Sequence, residues 1–329
     1  MMPVAWLRPF WTPRSLAVVA ALAAVPWLLR AQTYQLFQLN TILIFAMLAL
    51  GMQLMFGYGG ILHLGYAGFF GLGAYTSALL TTSAGWPFPA AFVGAMAAAV
   101  AGAAVMTPIL RLRDVSFALA TFVVGLMLEL VYNQWSAVTN GPIGFRGIPA
   151  PTVLGWSLEH PASYAWLLLA VLVAEYALIH RLLHSPFGGA LRALRENETA
   201  CRTSGIGVTG IRVTLLLFGS AMAGAAGSLL AHMNGFVSPP TFGWSTSVDL
   251  LMMVVVGGVR SLAGAVVGAA VIRVIVEQTS VLGQHSNIVF GVALVLGVAF
   301  LPDGLAGVGR RLAMLVATAA GRRPARAAP

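Results

Sequence analysis

Few residues in this chain have the types and spacing for chemistry. His180 and His184 stand four apart, a metal-compatible spacing, but they end a helix beside Arg181, and no metal is expected. Arg273 and Glu277 have the same separation inside a long apolar run. They share a helix face and are expected to neutralise each other. Glu129 and Glu175 are further charges within apolar runs, and Asp249 lies near the end of one. No chain of acids and histidines suggests proton relay. The single cysteine, Cys201, allows no internal disulfide. All 18 basic residues are arginine. Without lysine there is no Walker A loop to hydrolyse ATP and no Schiff-base chemistry. No His, Asp, Ser or Cys constellation has catalytic spacing, so the chain is expected to be no enzyme and to need no cofactor.

The elements carrying these residues are set by composition. Of 329 residues, 59% are apolar and 8% charged, against roughly a quarter charged in soluble domains. A soluble globule of this length could not hide so much apolar surface. The expected class is an all-α polytopic membrane protein of about ten transmembrane helices. They run near 15–31, 37–57, 61–82, 88–110, 115–134, 162–182, 211–233, 246–259, 262–281 and 286–301. The stretch 312–320 is too short for another span and reads as a surface helix in a basic tail. With both termini cytoplasmic, 15 of the 18 arginines fall on the inner side, as the positive-inside rule requires. The net charge of +9 then faces anionic lipid, not nucleic acid. The chain reads as one transmembrane domain over 1–329, its core about 36–305 and its basic cytoplasmic tail about 306–329.

Two loops stand out. The segment 135–161 carries Asn140-Gly141-Pro142 and Pro149, Pro151 and Pro161, turn chemistry that predicts a structured external cap. The segment 184–210 is cytoplasmic in this topology. Pro186 and Gly188-Gly189 open it, helix formers fill 190–203, and Gly205 with Gly207 ends it. Leu191 and Leu194 give that helix an apolar edge, while Arg192, Arg195, Glu196 and Glu198, with Asn197 among them, face water or a partner. Small residues recur within spans: Gly65, Gly68 and Gly71, then Gly219, Ala223 and Gly227, then Gly264 and Gly268. Such series let helices approach closely in lipid. Gly57-Tyr58-Gly59-Gly60 and Gly257-Gly258 loosen helices, as pathway segments do in transporters. Gly65, Tyr66, Gly68, Gly71, Gly257 and Gly258 are therefore expected to line or border a translocation route.

Several stretches, met in order, resemble one family. They are Leu50 to Gly60, Leu64 to Thr76, Phe117 to Thr121, Thr139-Asn140-Gly141-Pro142 with Gly147-Ile148-Pro149, Ser185-Pro186-Phe187-Gly188 through Leu194-Arg195-Glu196-Asn197-Glu198, Val237-Ser238-Pro239 with Phe242-Gly243, and Pro302-Asp303-Gly304-Leu305. Together they are similar to the LivM-type permease of bacterial ABC importers for branched-chain amino acids, over roughly 40–305. The chain departs from that pattern at Tyr66, where a histidine is usual, at His63, near a usual serine, and at Arg260 and Ala265, where glycine and proline are usual. Urea, amide and aromatic-acid importers look similar. The resemblance implies a permease of the bacterial inner membrane, paired with a second homologous permease. Two cytoplasmic ABC ATPase subunits and a periplasmic substrate-binding protein would complete it. The helix near 190–203 would then couple to an ATPase through Leu191, Arg192, Leu194, Arg195, Glu196, Asn197 and Glu198, with Gly205 turning the chain back. A stand-alone secondary carrier or channel is the alternative expectation.

Overall fold

The computed structural model describes residues 13–112, 114–153 and 155–280, with 291, 304, 305 and 307. Helix dominates because apolar runs of span length satisfy every backbone polar group internally. In order come α1 (Pro13–Leu28), α2 (Thr33–Met52), α3 (Tyr66–Thr82), α4 (Phe88–Val105), α5 (Asp114–Gln134), α6 (Ser136–Thr139), α7 (Pro161–Leu183), α8 (Pro186–Glu196), α9 (Glu198–Thr203), α10 (Val208–Asn234), α11 (Trp244–Gly257) and α12 (Leu262–Ser280). Among the described residues, five helical stretches are long and apolar enough to cross a membrane: Thr33–Tyr58, Phe88–Val105, Val115–Gln134, Pro161–Leu183 and Val208–Asn234. The chain is an all-α polytopic membrane protein. The expected tenth span, 286–301, and the surface helix at 312–320 lie outside the described residues, apart from Gly291.

Several expected span boundaries move. α2 does not stop at Gly57 but widens into a π-helical turn, Gln53–Tyr58. The Gly59 amide bonds the Leu54 carbonyl at 3.1 Å and Ile61 reaches back to Met55 at 2.9 Å. Helix α3 then begins at Tyr66, five residues after the expected start at 61: the amides of 59–61 close this wide turn, and the Leu64 amide donates to the Thr121 hydroxyl at 3.2 Å. The α-helical part of the fourth span ends at Val105, and Pro108 sits in a 3-10 turn, Thr107–Arg111, that finishes it.

Helix α10 packs along α3 and α4. Helix α2 lies against α7, α10 and α12, and α11 pairs with α12. Glycine makes the α3–α10 approach possible. A Cβ on Gly73 would overlap the Gly224 backbone, and one on Gly227 would overlap the Phe70 carbonyl. Met55 fills the space beside Gly219.

The 135–161 segment is structured, as its turn residues predict. Asn140 adopts a left-handed conformation, φ 58°, after α6. Strand β1 (Phe145–Arg146) pairs antiparallel with β4 (Phe236–Val237), which follows α10, and β2 (Thr152–Val153) pairs with β3 (Trp156–Ser157). These two-residue strands pin a cap to the end of α10.

Candidate functional site

The 184–210 segment folds as two helices, not one. The expected single helix over 190–203 breaks at Asn197, whose φ of −157° and ψ of 101° are extended. Asn197 ends α8 and caps α9, its Oδ1 accepting the Ala200 amide at 3.0 Å. Leu191, 1% exposed, and Leu194 are buried against this chain's own helices. That apolar edge therefore packs the hairpin onto α7 and α10. Arg192, Arg195, Glu196 and Asn197 are exposed.

Glu198 does not simply face water. Its Oε1 accepts from Arg202 at 2.7 Å and its Oε2 from Arg212 of α10 at 2.9 Å. Partial burial pushes the Glu198 carboxyl up, but the hydrogen bonds and charges of the two arginines outweigh it and hold it below its ordinary value. This clamp ties α9 to the start of α10. Gly205, exposed at φ 76°, makes the turn between them, a conformation unfavourable for other residues. Burial, then the charge of Arg260, lowers Arg195 from its ordinary value, and the π-helical turn packs on α8. Tyr58 donates to the Arg260 carbonyl at 3.2 Å and joins the π-helical turn to the α11–α12 turn.

The glycine-rich segments are close contacts in this conformation. Gly65 abuts the backbone of Thr121 and Gly125 on α5. Gly68 faces Leu128 and accepts the Tyr132 hydroxyl at 2.8 Å. Gly71 meets Tyr132 and Phe242. Tyr66 is 0% exposed, wedged between Gly51 of α2 and α10, where it donates to the Gly219 carbonyl at 2.9 Å. Its side chain reaches no solvent among the described residues. Gly257 packs on Gly264, and Gly258, at φ 116° and ψ 114°, ends α11 in a backbone state that suits only glycine. Gln53 reaches the Gly258 carbonyl at 3.4 Å, so the two glycine-rich segments meet at the π-helical turn.

The expected Arg273–Glu277 pair is not formed. Glu277 accepts the Tyr34 hydroxyl at 3.0 Å, and the Arg273 guanidinium lies over the Phe45 ring at 4.3 Å. One helical turn places both side chains on one face, but Tyr34 and Phe45 of α2 intervene. The rings of His180 and His184 stack at 4.1 Å, with His184 Nδ1 2.7 Å from the His180 carbonyl oxygen.

The family described as branched-chain amino acid transport system / permease component matches residues 34–298. This chain belongs to that family. It is 32% identical to the high-affinity branched-chain amino acid transport system permease protein LivM of Escherichia coli, covering 88% of this chain and 73% of that one. The Salmonella typhimurium LivM is also 32% identical, over 80% of this chain and 68% of its own. The E. coli permease protein LivH is 23% identical, over 80% and 91%. No solved structure matches.

Other polar contacts in this permease escaped the sequence reading. Ser77 of α3 bonds Ser228 at 2.7 Å and His232 at 3.0 Å, both on α10, and His232 Nδ1 lies 2.8 Å from the Pro149 carbonyl oxygen of the cap. Ser228 and His232 are one turn apart on α10, a signal that was available. His63 is buried among Tyr66, Phe69 and Phe117, and among the described residues neither ring nitrogen has a hydrogen-bond partner. Its position before a glycine-rich helix gave no hint of that aromatic box.

Proposed function

We propose that this chain is the transmembrane permease subunit of an ABC importer that moves branched-chain amino acids inward. The family match over most of the chain carries this reading. The absence of any lysine agrees with it, since ATP must then be hydrolysed on separate chains. The partners are a second homologous permease, two cytoplasmic ATPase subunits and a periplasmic binding protein. The chain is a single permease domain over 1–329, core about 36–305, with ten spans and both termini cytoplasmic in the inner membrane. The 135–161 cap is then outside and the α8–α9 hairpin inside.

Coupling runs through the exposed side chains of the hairpin, Arg192, Arg195, Glu196 and Asn197. Leu191 and Leu194 anchor it to the permease, and Glu198 with Gly205 sets the angle of α9 against α10. A docked ATPase would push on α8 and so on the adjacent α11–α12 turn at Gly257 and Gly258. Gly65, Tyr66, Gly68 and Gly71 border the route by setting how closely α3 approaches α5 and α10. Co-reconstitution in proteoliposomes tests the whole reading. ATP-dependent leucine accumulation is expected only when both permeases, the ATPases and the binding protein are present. Leucine flux through this chain alone would make it a carrier or channel.

A further inference from the structure

Two arginines on the inner side of the proposed topology are left without a counter-charge. Arg195 is exposed on α8, and Arg260 is exposed in the turn 258–261 between α11 and α12. The π-helical turn touches both elements: it packs on α8, and its Tyr58 donates to the Arg260 carbonyl at 3.2 Å. The two guanidinium charges feel each other, since Arg260 adds to burial in lowering Arg195 from its ordinary value. Neither forms an ion pair among the described residues, where the pairs are Glu198 with Arg202 and with Arg212. Glu196 follows Arg195 in sequence but pairs with neither arginine. Arg192, one turn before Arg195, donates to the Leu183 carbonyl at 3.4 Å, at the end of α7.

Like charges held near each other are unfavourable until an anion settles between them. A carboxylate suits, because its two oxygens offer about four acceptor sites and two guanidinium forks can share them. The chain builds this arrangement once for itself: one oxygen of Glu198 takes Arg202 of α9 and the other takes Arg212 of α10. No large apolar side chain is exposed between Leu178 and Trp244. The hairpin therefore offers acyl chains nothing, which favours a protein carboxylate over a membrane surface. We propose that one acidic side chain of the cytoplasmic ATPase bridges Arg195 and Arg260, and so ties α8 to the α11–α12 turn when the ATPase docks. The proposal rests on the importer reading above and adds to it the partner's chemistry and a contact outside the hairpin. Gly258 ends α11 two residues before Arg260, so a pull on the bridge reaches α11 without passing through α9 or α10.

The test measures ATPase binding to the complete permease pair in phosphatidylcholine nanodiscs. Arg195→Gln and Arg260→Gln should each weaken it about tenfold, the loss expected for one charge-assisted hydrogen bond. Arg260→Gln keeps the Tyr58 bond, because Tyr58 uses the backbone carbonyl. Arg181→Gln removes the charge of another exposed arginine, at the end of α7, and should change nothing. Each exposed aspartate and glutamate of the ATPase is then changed to its amide and titrated against wild type, Arg195→Gln and Arg260→Gln. One acid should stand out. Its loss should weaken binding to the wild-type permease and matter much less with either arginine variant. Should Arg195→Gln fail to assemble, Arg195→Lys, which keeps the charge but not the fork, repeats the cycle with a smaller loss. Wild-type affinity in Arg260→Gln, or coupling of the two arginines to different acids, overturns the bridge. Losses seen only in nanodiscs containing phosphatidylglycerol would assign the arginines to lipid phosphate and also overturn it. A wild-type permease pair that binds no ATPase would strike the importer reading itself, and the bridge with it.

Discussion

Helices α5 and α12 both run through the apolar bulk, yet they present opposite surfaces. The exposed side of α5 is mostly apolar, with Val115, Leu119, Val123, Met127 and Leu130 at helical spacing. The open side of α12 and α2 carries Arg273, Glu277, Gln38 and Thr41. Hydrocarbon satisfies the first surface and penalises the second. The difference teaches where lipid can sit and where it cannot: the polar face needs water or protein. It also separates two uses of charge in one chain. At the α8–α9 hairpin charge is paired internally, Glu198 with Arg202 and Arg212. At α12 the arginine is left without an ion pair among the described residues.

The sharpest way to break the contrast is to add a charge to each face. Val123→Arg should cost about 2.5–3.5 kcal/mol of insertion if its surroundings are hydrocarbon. Thr41→Arg, on the polar face, should cost less than half of that. Both are read as the inserted fraction in a translocon assay. Equal penalties would mean that the two faces have the same neighbours.

A second test damages the core that both faces lean on. Gly227→Ala would drive a methyl into the Phe70 carbonyl, where backbone cannot yield. Overpacking of this kind costs about 1–3 kcal/mol. Gly210→Ala, on the same helix, meets nothing within 4 Å and is the control. Thermal melting in detergent should separate the two variants. Identical melting would show that α3 and α10 can slide apart freely, and the faces would not share a rigid support.

Much of this architecture was legible in the sequence because apolar runs of span length have few other solutions. The glycine motif at 57–60 announced an irregular turn, though not that α3 would wait until Tyr66. The break at Asn197 was hidden by good helix formers on both sides. Only the capping chemistry of asparagine marked it. The apolar edge at Leu191 and Leu194 was visible as an edge, but periodicity does not say what covers it, and here this chain covers it itself. Spacing put Arg273 and Glu277 on one face and stopped there. That Tyr34, more than two hundred residues away in sequence, reaches Glu277 is a tertiary fact.

The hairpin gives two smaller effects that test the paired side of the comparison. Arg212→Met removes one of the two arginines on Glu198. The Arg212 and Glu198 side chains are 18% and 29% exposed, and pairs this open contribute about 1 kcal/mol or less. The variant should loosen α9 against α10, seen as faster amide exchange over 198–206. Unchanged exchange would mean that Arg202 alone holds Glu198 in place.

The smallest effect is one of pH. The arginines hold the Glu198 carboxyl below its ordinary value in the folded chain. A depressed carboxyl adds stability that is complete above the unfolded-state value and is lost as pH falls through the folded-state value. Wild type should therefore melt above Glu198→Gln at neutral pH. The gap should close as pH falls below about 4, past the ordinary glutamate range. Lowering the salt concentration should widen the neutral-pH gap, because the clamp is partly open to solvent and is screened. A gap that persists unchanged in acid would mean that Glu198 acts through packing and not charge. The contrast between the paired hairpin and an α12 arginine with no ion pair among the described residues would then rest on geometry alone.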